Sequence, residues 1–360
     1  MLKQQISLFE EEQQDLYVTT ESLNTDDRLS VISLFSGCGG MDLGFRGDFD
    51  FLGNVFESNN YDIVFSNDIV QAACSTYEHN FGHTPHCGDI KELDYTSLPK
   101  ADIVIGGFPC QDFSLAGKRK GLSSERGQLY LEMKKVIEHV QPRAFVAENV
   151  DGIRKSNIHG GVSPLDIIVS DFEDMGYDVQ YRALNAADYG VPQNRIRVII
   201  IGIRKDVNSQ IRYPLPTHGL GYGSSYVSSK MAIDDLWDRL DCPTIKNHTT
   251  KDYSRAKFYE GKKMQGNNKI KADSPAPTIR AEHHGNIEGH YRSLSDSDPD
   301  NILNWRRLSV RECARLQSFP DDFEFNCSAN AAYKQIGNAV PPVMAWHISR
   351  ALYKSLTEIQ

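Results

Sequence analysis

The 360-residue sequence lacks the features of a disulfide-stabilised protein or a membrane protein. Its seven cysteines are an odd number and include no C-x-x-C pair, which argues against a disulfide framework and a zinc ribbon. The longest apolar run, 198–203, is far too short to span a bilayer. Residues 1–15 have no apolar core and do not resemble a signal peptide. We therefore expect a reduced, cytoplasmic protein with no membrane partner and no bound metal.

An excess of basic charge is also missing, because the formal net charge is −9. Evenly spread, such a charge would be unfavourable for binding nucleic acid. The charge is uneven, however: residues 1–30 contain seven acidic and two basic residues, whereas residues 242–292 contain ten basic and five acidic residues. Aromatic residues are interleaved with the basic ones. This internal segment could face phosphates, although most charge runs of this kind are solvated surfaces.

Short apolar runs alternate with helical spacing between residues 29 and 203, after an acidic extension, 1–28, that we expect to be flexible. The predicted strands are 30–35, 63–66, 103–105, 144–147, 178–183 and 197–201. The predicted helices between them are 69–81, 128–140 and 164–175. This order predicts a doubly wound α/β fold with a mostly parallel sheet and helices on both faces.

Residues 204–304 break this pattern, because they are rich in Gly, Ser, Pro, Asn and His and contain one clear helix, near 232–240. Regular structure resumes at 308, where Ser309 and Glu312 match a helix capping box, and a last helix follows Pro342. We therefore predict that residues 29–203 and 305–360 form one domain. A smaller, irregular domain, 204–304, is inserted into it.

A glycine turn follows the first predicted strand, in the stretch S-L-F-S-G-C-G-G. Gly37, Gly39 and Gly40 allow a tight turn and a close approach of the backbone to a ligand. Their spacing is not G-x-G-x-x-G, so a plain tight turn is a real alternative. Asp68 ends the next strand and could accept ribose hydroxyls, whereas Asp89 follows a third strand and could bind an adenine amino group. Each aspartate could instead cap a strand end.

Cys110 lies just after a predicted strand, next to Pro109. Most single cysteines of cytosolic proteins are inert core residues. This one precedes a polar loop, 111–127, that carries Lys118 and Arg119, and nearby positive charge favours a reactive thiolate. The glycines of the loop would let it close over a substrate.

Two further strand ends carry charged side chains. Glu148 ends an apolar strand and could either act in a site or start a helix. Arg195 and Arg197 lie at the start of the most apolar strand, and alternate residues of a strand share a face. The two arginines could form a solvated edge, or they could grip a base and a phosphate.

These motifs resemble those of the bacterial C5-cytosine DNA methyltransferases, over residues 30–203 and 308–350 and in the order found in that family. The resemblance implies a Rossmann-like fold that binds S-adenosylmethionine, and it makes 204–304 the target-recognition domain. Two departures are an aliphatic Ile69 where an aromatic is frequent and a longer segment before Asp68, which predicts a longer surface loop. The cofactor residues implied are Phe35, Gly37, Cys38, Gly39, Asp68, Ile69, Asp89, Ile90, Pro109, Leu129 and Asn338.

The same resemblance implies the catalytic residues. Cys110 would add to C6 of a flipped-out cytosine, which makes C5 nucleophilic towards the methyl group, while Glu148 stabilises charge at N3. Arg195 and Arg197 would contact the flipped base. Residues of the loop 111–127 would contact DNA, namely Gln111, Ser114, Lys118 and Arg119.

The resemblance therefore predicts a sequence-specific DNA (cytosine-5)-methyltransferase of a restriction-modification system. We expect a bacterial or phage monomer that acts on double-stranded DNA, together with a cognate restriction endonuclease for the same site. A tRNA-methylating relative is an alternative, but its Cys-Phe-Thr signature is missing from the sequence. A nicotinamide dehydrogenase would need a tighter glycine fingerprint, and a non-catalytic scaffold would not be expected to keep Cys110 and Glu148.

Overall fold

The computed structural model describes residues 17–18, 28–109, 129–155, 163–252, 268–281, 290–293, 297–298 and 300–358. The α-helices in this part are α1 (Gly40–Arg46), α2 (Gln71–Phe81), α3 (Leu129–Val140), α4 (Gly152–Lys155), α5 (Pro164–Glu173), α6 (Ser229–Ile233), α7 (Val310–Leu316), α8 (Ala329–Asn338) and α9 (Pro342–Thr357). The strands are β1 (Tyr17–Val18), β2 (Leu29–Leu34), β3 (Phe49–Phe51), β4 (Asn54–Phe56), β5 (Tyr61–Asp68), β6 (His86–Cys87), β7 (Ile103–Gly106), β8 (Ala144–Val150), β9 (Tyr177–Asn185), β10 (Ile196–Arg204), β11 (Tyr213–Pro214), β12 (Asn268–Lys269), β13 (His290–Ser293) and β14 (Trp305–Arg307).

A seven-stranded sheet in the order β6-β5-β2-β7-β8-β10-β9 organises the molecule. Its first five strands are parallel, and β10 runs antiparallel to both β8 and β9. The predicted doubly wound α/β fold with a mostly parallel sheet is confirmed. Strand β10 inserts between β8 and β9 in the opposite direction, which the order of elements along the chain could not show.

Both faces of the sheet centre are buried, because side chains of β2, β7, β8 and β10 enter two different hydrophobic clusters. On β10, Ile199 and Ile201 enter one cluster and Val198 and Ile200 the other. Helices α1, α7, α8 and α9 supply apolar residues to the first cluster, and α3 and α5 supply the second. Continuous apolar runs such as 198–201 are therefore strands buried on both sides.

The described part of 204–304 shares the core of the α/β domain. Its buried apolar residues that join the first cluster are Ile211, Tyr213, Ala232, Ile233, Ile270, Ala276 and Ile279. The predicted helix near 232–240 is a short α6 followed by a 3-10 helix, Asp234–Leu236. The hydrophobic core therefore continues across the predicted boundary at 204. The sequence could not show this, because the apolar residues of irregular segments have no periodicity that would identify them as core residues.

Two smaller features concern the predicted loops. Strand β1 pairs in parallel with β11, so this part of the predicted flexible extension, 1–28, is ordered. The longer segment before Asp68 is a β3–β4 hairpin, anchored by Phe56, whose ring stacks on Phe49 at 4.9 Å and meets Trp346 edge-on at 5.2 Å. Among the described residues, no helix is both long and apolar enough to cross a membrane.

Candidate active site

Most of the described residues predicted for the site lie at one edge of the sheet. The carboxyl ends of β2, β5, β6, β7 and β8 meet there because these strands are parallel neighbours. Strand β10 begins at the same edge because it runs in the opposite direction. The glycine turn, Asp68, Asp89, Pro109, and the pair of Glu148 and Arg197 therefore follow adjacent strands.

The glycines of the turn after β2 differ in what surrounds them. Gly37 has φ +56°, and a β-carbon on it would meet no atom within 4 Å, so it borders open space. Gly39 has φ +89°, and its β-carbon would lie 2.3 Å from the ring of Phe81. Cys38 is buried in the core, and burial raises the pKa of its thiol. Only Gly37 opens a space that a ligand could fill, and Cys38 could reach a ligand with its backbone alone.

Asp68 holds the turn in place. Its Oδ2 accepts the Gly37 N–H at 2.8 Å and its Oδ1 accepts the Val70 N–H at 2.8 Å. Burial raises the pKa of Asp68, and these backbone hydrogen bonds oppose the rise. The following Ile69 and Val70 are 64% and 52% exposed. An apolar surface thus lies directly beside a carboxylate that is oriented towards the glycine turn.

The other predicted cofactor residues lie in varied surroundings. Asp89 caps the 3-10 helix Ile90–Glu92, because its Oδ1 accepts the Lys91 N–H at 3.0 Å, and Ile90 is buried. Phe35 (φ +53°) and Leu129 pack partly against the second hydrophobic cluster. Pro109 is half-buried and Asn338 is exposed at the end of α8. Asp89 therefore caps a 3-10 helix rather than a strand end.

Glu148 and Arg197 form a buried ion pair, with Arg197 Nε 2.8 Å from Glu148 Oε1. Burial lowers the pKa of Arg197, and the charge of Glu148 opposes this. A β-carbon on Gly107 would lie 2.9 Å from Glu148 Oε2, so the carboxylate lies directly over a glycine. Asn149 donates its side-chain N–H to the Phe108 carbonyl at 3.1 Å. Strand β8 therefore holds both the carboxylate and the turn that leads to Pro109.

Arg195 is fully buried. Its Nη1 donates to the Ile279 carbonyl at 2.8 Å, and its Nη2 donates to the carbonyls of Gly337 and Ala339 at 2.8 and 2.9 Å. Burial lowers its pKa, and the charge of Arg197 adds to this. The predicted contact between Arg195 and a flipped cytosine does not fit a guanidinium enclosed by three carbonyls.

Gln193 continues the same polar network. Its Oε1 accepts the Ile279 N–H at 2.9 Å and its Nε2 donates to Gln317 at 2.5 Å, while Gln317 Nε2 donates to the Ala339 carbonyl at 2.6 Å. Neither Gln193 nor the segment around Ile279 was predicted as part of the site. The residues around Ile279 carry no motif that would have pointed to them.

Several predicted residues lie outside the described part of the chain. They are Cys110, Gln111, Ser114, Lys118 and Arg119. Pro109, which directly precedes Cys110, is described, and so is the Asn149 contact to Phe108. Over the described ranges, no group of three or more His, Cys, Asp or Glu side chains is arranged to hold a metal ion.

A doubly wound sheet, a glycine turn open to a ligand and a buried Glu–Arg pair next to the segment that ends at Pro109 fit the methyltransferase class. A family model for C-5 cytosine-specific DNA methylases matches residues 29–354, and the chain belongs to this family. The protein is therefore a DNA methyltransferase that acts on carbon 5 of cytosine.

Individual relatives agree with the family. The chain is 37% identical over 357 residues to the type II methyltransferase M.BsuRI of Bacillus subtilis, covering 89% of this chain and 78% of that protein. It is 34% identical over 356 residues to M.FnuDI of Fusobacterium nucleatum, covering 92% and 96%. A prophage-encoded DNA modification methyltransferase from E. coli has 25% identity and a TM-score of 0.64, covering 91% and 99%. The Dnmt2 methyltransferase of S. pombe, at 21% identity and a TM-score of 0.65, shows the same fold over 92% and 99%.

Proposed function

We propose that Cys110 is the nucleophile that adds to C6 of a flipped cytosine, and that Glu148 and Arg197 hold the ring. The observation that supports this most directly is the buried Glu148–Arg197 ion pair over Gly107, which precedes Cys110 by three residues in the chain. Asn149 holds the segment between them through the Phe108 carbonyl. Because β7 and β8 are adjacent, the carboxylate lies next to the described segment that leads to Cys110.

The chemistry assigned to these residues follows from the ring. The Cys110 thiolate forms a bond to C6, and the electron pair of the C5–C6 double bond moves to C5 and the N3 side of the ring. Glu148 stabilises the negative charge that arrives at N3 by sharing a proton with this nitrogen, and Arg197 keeps the carboxyl group oriented through its 2.8 Å contact. Once C5 carries the methyl group, a base removes the C5 proton, the electron pair of that C–H bond forms the C5–C6 double bond again, and the thiolate leaves C6.

The cofactor proposed for this reaction is S-adenosylmethionine, which supplies an electrophilic methyl group when it is bound. The open space at Gly37, the Asp68 carboxylate and the exposed Ile69 fit its adenosine part, because a glycine backbone, a hydroxyl acceptor and an apolar face are what that group requires. Asp89 and Ile90 follow at the next strand, and Asn338 is expected near the methionine part. The donor set therefore matches the cofactor implied by the family.

The biological role proposed is that of a sequence-specific modification enzyme for double-stranded DNA. The relatives at 34% to 37% identity are named type II methyltransferases, which supports a partner restriction endonuclease with the same recognition site. We further propose that the protein acts as a monomer in the bacterial cytoplasm. Residues 204–304 would choose the sequence, because they carry the basic stretch between two blocks of catalytic motifs.

Covalent trapping tests the role of Cys110. DNA containing 5-fluorocytosine at the target should form a stable covalent complex with the natural enzyme, and Cys110→Ala should form none. Cys110→Ala should also abolish methyl transfer, with binding of S-adenosylmethionine changed by no more than a few-fold. DNA and tRNA are tested as parallel substrates. Methylation by Cys110→Ala would disprove the assignment.

The role of Glu148 is tested by Glu148→Gln, with Glu173→Gln, at an exposed position of α5, as the matched control. The methylation rate of Glu148→Gln should fall by a much larger factor than its DNA affinity, because charge at N3 develops only during the reaction. The control should match the natural enzyme in both. Equal losses of rate and affinity in Glu148→Gln would mean that Glu148 is structural.

A chimera tests the assignment of 204–304. The recognition sequence is first mapped from 5-methylcytosine in DNA of cells that express the protein. Replacing 204–304 with the corresponding segment of a related enzyme should then transfer the donor's site. An active chimera that keeps the original site would contradict the proposed division of labour.

A further inference from the structure

Residues 276–281 belong to the recognition segment in sequence, yet their backbone is fastened to the catalytic motifs. Ala276 N–H donates to the Pro192 carbonyl at 2.9 Å, and its carbonyl accepts the Asn194 N–H at 2.8 Å. Ile279 is held on both sides, by Gln193 at its N–H and by Arg195 at its carbonyl. This short segment therefore moves with the motif that contains Arg195 and Arg197.

The next residue, Arg280, has its backbone pressed against Gly337 of α8. A β-carbon on Gly337 would lie 2.2 Å from the Arg280 carbonyl carbon and 2.4 Å from its oxygen. Because these contacts use backbone atoms, they hold Arg280 in place whatever its side chain does. The side chain itself is exposed. An arginine at a rigid position is thus presented to solvent beside the active site.

The charge of Arg280 reaches two buried groups, Arg197 of the site and His290 at the start of β13. Burial lowers the pKa of Arg197, Glu148 opposes the shift, and the positive charge of Arg280 adds to the lowering. Burial likewise lowers the pKa of His290 to about 4, with smaller contributions from Arg307 and Arg280. The guanidinium of Arg280 therefore lies within electrostatic range of the Glu148–Arg197 pair.

Two described carboxylates near the site are paired with neighbouring cations. Glu148 is paired with Arg197, and Asp151, just after β8, accepts a hydrogen bond from Arg154 Nε at 2.7 Å. These carboxylates therefore repel an approaching phosphate much less than isolated ones would. A base turned into the pocket stays attached to its sugar, so the phosphates on either side of it must lie at the pocket mouth.

We propose that Arg280 binds a phosphate that flanks the target cytosine and so holds the flipped nucleotide at the pocket. This rests on the proposed catalytic site, and it adds a DNA contact outside the loop residues predicted from the sequence. A guanidinium can grip a phosphate with two hydrogen bonds, which fits a residue whose backbone is rigid. Such a contact positions the DNA and carries no sequence information.

The first experiment measures DNA binding of Arg280→Gln and Arg280→Lys, with Lys205→Gln as the matched control. Lys205 is exposed and follows β10 at the end opposite to Arg197, so it lies at the far edge of the sheet. Arg280→Gln should weaken DNA binding about tenfold and lower the slope of log affinity against log salt by about 1. Arg280→Lys should recover part of the affinity, and Lys205→Gln should match the natural protein. Melting temperature and binding of S-adenosylmethionine should be unchanged in all three variants.

The second experiment identifies the phosphate. Duplexes carrying the mapped recognition site contain one neutral methylphosphonate, placed on either side of the target cytosine in turn. At one of the two positions the natural protein should lose about tenfold in affinity, and Arg280→Gln should lose nothing further. Losses that simply add at both positions would overturn the proposal, as would an Arg280→Gln variant with unchanged affinity and salt slope.

Failure of this proposal is distinguishable from failure of the proposed catalytic site. The binding cycle is measured in the Cys110→Ala background, where no covalent step occurs. Trapping on 5-fluorocytosine is measured separately with Cys110 intact. Arg280→Gln should still be trapped at saturating DNA, only more slowly at low DNA concentration. Absence of trapping in the natural protein would count against Cys110 alone, and additive binding losses would count against Arg280 alone.

Discussion

At the scale of single residues, the glycines near the site show that one residue type can be required for different physical reasons. Gly37 borders open space, Gly39 lies under an aromatic ring, and a β-carbon on Gly40 would lie 2.5 Å from the Val340 carbonyl oxygen. In the sequence these three glycines form one motif, and nothing distinguishes their roles. Of the three, only Gly37 leaves space for a ligand, whereas Gly39 and Gly40 allow other parts of the protein to pack closely against the turn.

Gly37→Ala and Gly53→Ala form a matched pair that tests this distinction. Both glycines have positive φ, +56° and +77°, and neither β-carbon would meet an atom within 4 Å. Each substitution should cost about 1 kcal/mol of stability through backbone strain. Only Gly37→Ala should raise the KM for S-adenosylmethionine, since Gly53 lies in the turn between β3 and β4. A similar KM for both variants would argue that the cofactor does not use the space at Gly37.

Arg195 and Arg197 are two residues apart and have different partners: Arg195 contacts backbone carbonyls, and Arg197 pairs with a carboxylate. Arg195→Lys should lower the free energy of unfolding by about 3 kcal/mol, because an ammonium cannot satisfy carbonyls from Ile279, Gly337 and Ala339 together. Arg197→Lys should cost less stability and should reduce the single-turnover methylation rate more. Urea unfolding and single-turnover kinetics measure both. Unchanged stability in Arg195→Lys would restore the predicted contact with the base.

At the scale of elements, helix α7 begins with the capping box that its sequence predicts. Ser309 Oγ accepts the Glu312 N–H at 3.2 Å, and Glu312 Oε2 accepts the Ser309 N–H at 2.7 Å. The tertiary structure adds two partners: His248 Nδ1 lies 2.7 Å from Ser309 Oγ, and Arg306 binds both oxygens of Glu312. The cap thereby joins the helix to the recognition segment.

Ser309→Ala tests the weight of these added partners. It should reduce the free energy of unfolding by about 2 kcal/mol, at the upper end of the range for N-cap residues, because buried His248 loses a partner as well. Ser328→Ala, at the exposed N-cap of α8, is the control and should cost about 0.5–1 kcal/mol. Equal costs in urea unfolding would mean that the His248 contact contributes nothing.

At the scale of the whole molecule, buried titratable groups connect stability to pH. Burial lowers the pKa of His347 to about 3 and of His290 to about 4, and it raises the pKa of Asp42 to about 6. Below pH 6.5 the unfolded chain binds protons at both histidines that the folded chain does not, so acid destabilises the fold. Asp42 acts in the opposite direction, because below about pH 6 the folded chain holds a proton that the unfolded chain lacks until pH 3.8.

These three groups should together reduce the free energy of unfolding by about 1.4 kcal/mol for each pH unit between 6 and 4, since two histidines oppose one aspartate. Urea unfolding at pH 6, 5 and 4 measures the slope. Asp42→Asn should make the slope steeper, and His347→Gln should make it shallower. Substitution of exposed His139 should leave it unaltered. A slope that is the same in all variants would contradict this assignment.

The sequence by itself determined the α/β class, the order of strands and helices, the α7 cap and the family, because these depend on local periodicity and on motifs that are contiguous in the chain. Only the tertiary structure decided that β10 runs antiparallel beside β8 and that the described part of 204–304 shares the core. It also decided that Arg195 is enclosed by backbone carbonyls, whereas Arg197 pairs with Glu148. It also brought Arg280 to the catalytic edge. The physical reason is the same in each case: these properties arise from hydrogen bonds and packing between segments distant in sequence, which local patterns do not encode.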